Sequence, residues 1–174
     1  MNQNTVRNPP EGPNSGREGV AGPESPLEVI ALQRYPIDAV GVHLAVPLRR
    51  GRQQFRFLID TGASNTVLDQ TKFRGDDGHP HGAQLCVQTA GAGGGRHTVT
   101  IARISGLKLG KVALPCWDVA GLDFSGIRNA YRSQKLPVVS GILGGDVLHY
   151  YRARIDYGLC VLELYPPHAD PPFG

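Results

Sequence analysis

The stretch FLIDTGASNTVLD (residues 57–69) places a carboxylate, Asp60, directly after an apolar run. A charged group at the end of a buried strand is costly unless it is paired or hydrogen-bonded. Asp60 could simply cap its own turn by accepting from the N–H groups of Gly62 or Ala63. The flanks favour a chemical role, because apolar residues precede the carboxylate, small residues follow it, and apolar residues then resume.

Other combinations of reactive side chains give weaker evidence for a functional site. In GDDGHPHG, the residues Asp76, Asp77, His79 and His81 could hint at a metal site, but no further ligands follow in register, and Pro and Gly surround them. A solvated loop is the better interpretation. No Ser-His or Cys-His pair has the context of a nucleophile. We therefore predict no metal and no cofactor.

The elements that must position Asp60 are mostly strands. Apolar residues alternate over 40–48 (Val40, Val42, Leu44, Val46, Leu48) and again over 55–59, and the basic tip RRGR lies between them. This pattern predicts a β-hairpin whose inner face is buried. Further strands are predicted at 84–90, 97–104, 106–109 and 111–117, with a last hairpin formed by ARIDY and LCVLELY around Gly158.

Helical patterns are scarce. Asp146 is a candidate N-cap for the helix VLHYYRA. Phe124, Ile127 and Tyr131 have helical spacing, so a second short helix is possible within 122–134. Many short strands with little helix indicate an all-β domain, either a barrel or a sandwich.

The sequence FLIDTGAS resembles the active-site motif of the retropepsin-like aspartic proteases, in which hydrophobic residues precede Asp-Thr/Ser-Gly-Ala. About 80 residues later, VVSGILGGDVL (138–148) is similar to the family's hydrophobic-hydrophobic-Gly segment and the helix that follows it. The resemblance covers roughly residues 36–165. It implies a closed β-barrel-like acid-protease (retropepsin) fold with one short C-terminal helix.

In such proteases two carboxylates face each other around one water molecule and share a proton, because both cannot readily ionise at that distance. One acts as general base on the water and the other donates to the substrate carbonyl. The Asp-Thr-Gly sequence occurs once here. The resemblance therefore implies an isologous homodimer that is active as an aspartic endopeptidase, with Asp60 of a second copy completing the pair.

The resemblance also implies roles for the neighbours of Asp60. Thr61 would contact the backbone of the partner chain beside the two carboxylates. Gly62, which lacks a Cβ atom, would let backbone and substrate approach closely. Ala63 and Ser64 would keep the cleft floor small, and Ser64 would hydrogen-bond to the carboxylate. A loop with a purely structural role would pack behind the site, formed by Gly141, Ile142, Leu143 and Gly144.

Where the family has its flap, this chain has the glycine-rich stretch TAGAGGGR (89–96). It could be a plain hairpin loop, but beside Asp60 we favour a flap that closes over a peptide and excludes water. The family often carries a bulky residue there, and none is evident here. The candidate substrate-binding residues of the flap are Ala90, Gly91, Ala92, Gly93 and Gly94.

The ends of the chain differ in composition from its middle. Residues 1–26 are rich in Pro, Gly, Asn and Glu and poor in large apolar residues, so we expect a disordered arm. Residues 166–174 resemble a short flexible tail. Between them, 27–165 is predicted to be the protease domain. In retroviral-type relatives the terminal strands of two chains interleave, and the candidates here are 27–33 and 159–165.

The composition of the chain indicates which binding partners and which cellular location to expect. The formal net charge of +3 comes without a Lys/Arg stripe, so no nucleic-acid partner is predicted. No segment has membrane-spanning length, and no signal peptide is visible. The three cysteines, Cys86, Cys116 and Cys160, lack CxxC spacing and suit semi-buried positions in a reducing compartment. We expect a cytoplasmic protein that pairs with itself and binds peptide or protein substrates.

Two other interpretations stay open at this point. The same fold could serve as a catalytically weak or inactive peptide-binding or dimerisation module, because fold does not fix function. Alternatively, the enzyme could act mainly on its own arm at 1–26.

Overall fold

A computed structural model describes residues 24–72, 83–88 and 96–167, and side chains are described outside 83–88 and 96–100. Strands dominate these ranges, with two short α-helices, α1 (Ser125–Ser133) and α2 (Gly145–Tyr150), and a 3-10 turn at Gln70–Lys72. The strands are β1 (Glu28–Ala31), β2 (Gln33–Pro36), β3 (Val42–Arg50), β4 (Gln53–Ile59), β5 (Val67–Asp69), β6 (Ala83–Gln88), β7 (Arg96–Ile104), β8 (Leu107–Leu109), β9 (Val112–Ala113), β10 (Trp117–Leu122), β11 (Gly141–Leu143), β12 (Arg154–Asp156) and β13 (Val161–Leu164).

Most strands belong to one large sheet that curls into a half-barrel. Its order is β6-β7-β10-β5-β11-β4-β3-β8-β9, and β2 pairs with the free part of β3. Neighbours are antiparallel except that β10 runs parallel to β5 and β11 runs parallel to β4. The predicted all-β acid-protease fold with a short C-terminal helix, α2, is confirmed, and α1 is the second helix that the spacing in 122–134 permitted.

The β3–β4 hairpin has the predicted register but a later start. Its tip is exposed, and Gly51 takes a φ of 56° there, which glycine adopts without steric cost. Leu44, Val46 and Leu48 are buried as expected. The prediction was wrong for Val40, which is 95% exposed, because Asp38 caps a turn there before the strand begins. Val42, at the first strand position, is also exposed.

Both faces of the β3–β4 hairpin are covered, which the alternating pattern alone does not show. One face joins a large core that includes Phe57 and Leu143. On the other face, Ala45 is fully buried in a second cluster that contains Phe124 and Tyr131 at the two ends of α1. The segment 118–137, whose role the sequence left open, therefore supplies a central strand and a helix that covers the outside of the sheet.

A smaller sheet holds the terminal strands in the order β1-β13-β12. β1 pairs with β13 of the same chain, with Glu28 opposite Leu164 and Ala31 opposite Val161. These segments pair with each other within one chain, and their interleaving between two chains stays a prediction. The β12–β13 hairpin extends the chain beyond α2, and this places the apolar β13 in the centre of its sheet, with β1 and β12 at the edges.

The predicted arm and tail lie mainly outside the described residues. At the start of the described chain, Glu24 forms an ion pair with Arg152 at 2.6 Å. Cys160 is half-buried, but Cys116 is exposed, so the expectation of a semi-buried position was wrong for Cys116. No helix within the described ranges is long and apolar enough to cross a membrane.

Candidate active site

Asp60 follows the last residue of β4 and lies at the surface. Its backbone N–H donates to the carbonyl of Leu143 at 3.1 Å, which continues the parallel pairing in which Leu143 lies opposite Ile59. The backbone of Asp60 is therefore fixed by the pairing of two central, buried strands, and this fixes the point from which its side chain extends. A surface position at the end of a rigid strand is suitable for a side chain that contacts a substrate.

The carboxylate of Asp60 has one internal contact. The Gly62 N–H donates to Oδ1 at 2.9 Å, and the Ala63 N–H donates to the Asp60 carbonyl at 3.2 Å. The turn-capping role considered from the sequence is thus realised at one oxygen. Among the described residues no donor reaches Oδ2, so this oxygen is available to water, substrate or a second chain.

Thr61 borders an open groove of ≈ 560 Å³. The walls of the groove come from α2, from the turn that follows it and from the end of β13. They are formed by Gly145, Leu148, His149, Arg152, Ala153, Arg154 and Tyr165. The groove thus lies directly beside the Asp-Thr-Gly loop, and the edge strand β12 begins at it.

The loop after Asp60 is fastened to the start of α2 by backbone hydrogen bonds. The Gly145 N–H donates to the Ala63 carbonyl at 2.7 Å, and the Asp146 N–H donates to the Ser64 carbonyl at 3.0 Å. Ala63 and Ser64 therefore satisfy N–H groups of the first helical turn, which have no partner inside the helix. Within the described chain the Ser64 hydroxyl makes no hydrogen bond to Asp60, so its contact is through the backbone.

The segment from Gly141 to Gly144 lies behind this loop. Gly141, Ile142 and Leu143 form β11, which lies between β4 and β5. A Cβ atom on Gly141 would lie 2.5 Å from the Val67 carbonyl oxygen, and one on Gly144 would lie 2.5 Å from the carbonyl carbon of Asn65. The glycines are needed here because the backbones approach too closely for any side chain.

Asp146 does not cap α2 as predicted. The N-cap residue is Gly144, and Asp146 lies within the first turn. Its carboxylate instead accepts hydrogen bonds from the N–H and hydroxyl of Thr66, at 2.8 and 2.6 Å, and from the Trp117 indole at 2.9 Å. Sequence reasoning missed Thr66 and Trp117 as residues of this site, since local spacing carries no signal for contacts this distant along the chain.

The helix that carries Asp146 is anchored by the aromatic residues at its end. Tyr151 is buried, and burial raises the pKa of its phenol to about 12. The hydroxyl therefore stays protonated at neutral pH and donates to the Ala113 carbonyl at 3.3 Å. Tyr150 packs edge-on against both Tyr151 and Trp117, with ring centroids 4.8 and 5.5 Å apart. The end of α2 is thus held against the large sheet.

Apart from Asp146, the other described aspartates bind elsewhere in the chain. Each accepts hydrogen bonds that stabilise a turn, a helix end or a strand pair rather than the Asp60 loop. These residues are Asp38, Asp69, Asp118, Asp123 and Asp156. Within the described ranges, one chain therefore supplies a single aspartate carboxylate at the Asp-Thr-Gly loop.

The predicted flap residues Ala90, Gly91, Ala92, Gly93 and Gly94 lie outside the described residues. The same holds for the histidines and aspartates of GDDGHPHG. In the part of the chain that the structure describes, no group of three or more His, Cys, Asp or Glu side chains could hold a metal ion.

Comparison with known proteins shows the family of the chain. The family model for aspartyl proteases matches residues 46–147. The chain belongs to this family, and the predicted retropepsin-like family is confirmed. The matched region runs from β3 into the start of α2, so β1, β12 and β13 all lie outside it. No curated protein matches the chain.

Proposed function

We propose that the protein is an aspartic endopeptidase that is active as a homodimer, with one Asp60 contributed by each chain. One observation carries the proposal: Asp60 is exposed on a rigid loop, with one oxygen capped by Gly62 and the other directed to no internal donor in the described chain. A carboxylate so placed is half of the pair that peptide hydrolysis by this route requires. Membership of the aspartyl protease family supports the same reaction.

The mechanism follows from two such carboxylates sharing one proton. The ionised member removes a proton from a water molecule held between them, and the water attacks the peptide carbonyl carbon. The protonated member donates to the carbonyl oxygen as the tetrahedral intermediate forms. The carboxyl group that took the water proton transfers it to the amide nitrogen, the other carboxylate takes a proton from a hydroxyl of the intermediate, and the C–N bond breaks. Because the two groups are strongly coupled, their pKa values belong to the pair rather than to either chain.

The groove beside Thr61 is where we place the second copy. Two Asp60 side chains can meet only if the partner approaches the face that contains this loop, and the open groove lies on that face. The edge strand β12 starts at the groove and has a free side for strand pairing among the described residues. We propose that this face, rather than interleaved ends, forms the dimer contact.

The proposal is tested by Asp60→Asn, alone and in mixtures. We expect the variant to fold and dimerise but to lose hydrolysis of a peptide library, because the amide cannot act as the general base. In an equimolar mixture with random pairing, about half of the wild-type chains would pair with an inactive partner. Activity per wild-type chain should therefore fall to about one half.

The mixture distinguishes a shared site from a site complete in one chain. If wild-type activity is unchanged by excess Asp60→Asn chains that demonstrably exchange subunits, each chain has its own complete site and the dimer mechanism is wrong. If the variant alone retains hydrolysis, the role of Asp60 is wrong.

A non-catalytic peptide-binding module is the alternative, and the hydrogen bond from Gly62 to Asp60 gives it some support. In that case Asp60 would be a turn cap, and Asn could accept the same bond. Binding of peptides would then be indifferent to Asp60→Asn. A protease that trims its own arm would instead lose N-terminal residues during storage, and the Asp60→Asn variant would not.

The flap and the cellular location remain proposals of the same kind. We propose that Ala90 to Gly94 close over the bound peptide, supported by their glycine content and by the pairing of β6 with β7 on either side of them.

We propose a cytoplasmic location, because the three cysteines lack the spacing of a disulfide framework.

A further inference from the structure

The carboxylate of Asp146 accepts four hydrogen bonds. Oδ1 accepts from the Thr66 hydroxyl at 2.6 Å and from the Val147 N–H at 2.8 Å. Oδ2 accepts from the Thr66 N–H at 2.8 Å and from the Trp117 indole N–H at 2.9 Å. Each oxygen thus receives two donors, which fills the acceptor capacity that an ionised carboxylate offers.

These donors belong to three separate parts of the fold. Thr66 ends the loop that begins with Asp60, Val147 lies in α2, and Trp117 begins β10. Thr66 is 2% exposed and Trp117 is 1% exposed, so the contacts to both are shielded from water. The Thr66 hydroxyl also accepts from the Gly144 N–H at 3.0 Å, which closes a small network around the start of the helix.

We propose that Asp146 is a positioning residue for the proposed peptidase reaction: its carboxylate fixes the far end of the Asp60 loop to α2 and β10. Asp60 itself has one side-chain hydrogen bond in the described chain, so its direction depends on how this loop is held. A displacement of about 1 Å at reacting atoms can lower a rate by about 100-fold. The inference rests on the proposed function but concerns a residue that does not touch the substrate.

The chemistry of the contact makes asparagine an informative replacement. An asparagine side chain has the shape of aspartate, but its NH₂ group would replace one of the two oxygens. In the Oδ2 position the NH₂ group faces the N–H groups of Thr66 and Trp117, and both hydrogen bonds are lost. In the Oδ1 position it loses the bond from the Val147 N–H and keeps the Thr66 hydroxyl only if that hydroxyl accepts instead of donating. Asp146→Asn should therefore disturb the loop although the side-chain volume hardly changes.

Trp117 provides a signal that does not depend on activity. It is the single tryptophan of the chain, it is buried, and its N–H donates directly to Asp146. A change in the Asp146 side chain alters the polarity around the indole, so the tryptophan emission spectrum should shift. Emission from the folded protein thus reports on changes in the surroundings of Asp146 without requiring activity.

The experiment compares Asp146→Asn with Asp123→Asn, a matched change at an exposed turn where Asp123 accepts from the Ser125 N–H. We expect Asp146→Asn to lower kcat by about 100-fold with KM little changed, and to shift the tryptophan emission. We expect Asp123→Asn to leave kcat and emission unchanged. Circular dichroism and the dimer fraction verify that both variants fold and pair.

A second pair of variants covers the case in which Asp146→Asn does not fold. Thr66→Ser keeps both donors to Asp146, whereas Thr66→Val keeps the shape and loses the hydroxyl. We expect Thr66→Ser to retain wild-type kcat and Thr66→Val to lower it at least 10-fold. Equal kcat values for these two variants would overturn the proposal.

Failure of the proposed function has a different signature. If the wild-type chain hydrolyses nothing, the endopeptidase proposal fails. The role of Asp146 in holding the loop is then tested by tryptophan emission and amide exchange, which do not require activity. It is supported if Asp146→Asn shifts the tryptophan emission and speeds amide exchange in residues 60–66. It is overturned if neither the emission nor the exchange changes.

Discussion

Gly144 and Gly126 differ sharply in the space that surrounds their Cα atoms. A Cβ atom on Gly144 would lie 2.5 Å from the carbonyl carbon of Asn65 and 2.8 Å from the Thr66 nitrogen. Both neighbours are backbone atoms of the Asp60 loop, which cannot move without shifting the loop. Gly126, in the first turn of α1, has nothing within 4 Å of the same position.

Alanine should therefore have opposite effects at the two glycines. We expect Gly144→Ala to destabilise the fold by about 1–3 kcal/mol, because the added methyl group overpacks the loop. We expect Gly126→Ala to stabilise it by roughly 0.5 kcal/mol through reduced freedom of the unfolded chain. Urea unfolding of both variants measures the difference, and equal free energies of unfolding would contradict the close approach at Gly144.

At the residue scale, the sequence identified Asp60 because its evidence is local. An apolar strand, a carboxylate and small residues stand together within a few positions of the chain. The contact of Asp146 with Thr66 could not be predicted in this way, since the two residues are 80 positions apart. An aspartate before an apolar helix looks like an N-cap, and only the folded chain shows Thr66 opposite its carboxylate.

At the scale of elements, β7 and β10 are joined by a pair of opposite charges. Arg103 and Asp118 lie directly opposite each other in the antiparallel register. The guanidinium donates to both carboxylate oxygens, at 2.8 and 2.9 Å. These hydrogen bonds hold the pKa of Asp118 below its ordinary value of 3.8. The side chains are 56% and 33% exposed, so the pair is strongly screened.

The pair should give a pH-dependent difference between wild type and Asp118→Asn. A lowered folded-state pKa stabilises the fold above the ordinary Asp range, and that stability is lost as the pH falls through the folded-state value. We expect the variant to be less stable by up to about 1 kcal/mol at pH 7, with a gap that shrinks below pH 3.8. Urea unfolding across the acid range measures the gap. A gap that is constant down to the lowest pH would contradict the ion pair.

The period-two pattern predicted most strands because alternation is a local consequence of one buried face. It predicted the β3–β4 hairpin and the final hairpin, and helical spacing predicted α1, whose Phe124 and Tyr131 are buried. It could not predict that α1 covers the outer face of β3 or that β1 pairs with β13. Pairing between distant elements depends on packing that the order of residues in one strand does not encode.

At the scale of the whole molecule, the groove beside Thr61 is the surface that the proposed dimer would bury. His149 is exposed on α2 and lines this groove, whereas Val40 is exposed in the turn before β3 and is not part of its lining. Tryptophan can therefore be introduced at both positions. His149→Trp tests whether filling the groove prevents dimerisation, and Val40→Trp controls for the general effect of an added surface tryptophan.

We expect His149→Trp to shift the monomer–dimer equilibrium toward monomer, because the larger ring would occupy space that the partner must enter. The activity of the variant should then depend more steeply on protein concentration than that of the wild type. Val40→Trp should behave as wild type in both measurements. Sedimentation velocity over a concentration series measures the equilibrium. An unchanged dimer fraction for His149→Trp would place the contact on another face.

The antiparallel pairing of β1 with β13 brings the two ends of the domain side by side. Glu28 lies opposite Leu164, so the backbones are about 5 Å apart there, the usual spacing of neighbouring strands. A short peptide joining the residues just outside these strands could turn the domain into a closed ring. The ring could be reopened at the exposed Gly51–Arg52 tip, which would give a circularly permuted domain whose new N-terminus, Arg52, lies eight positions before Asp60.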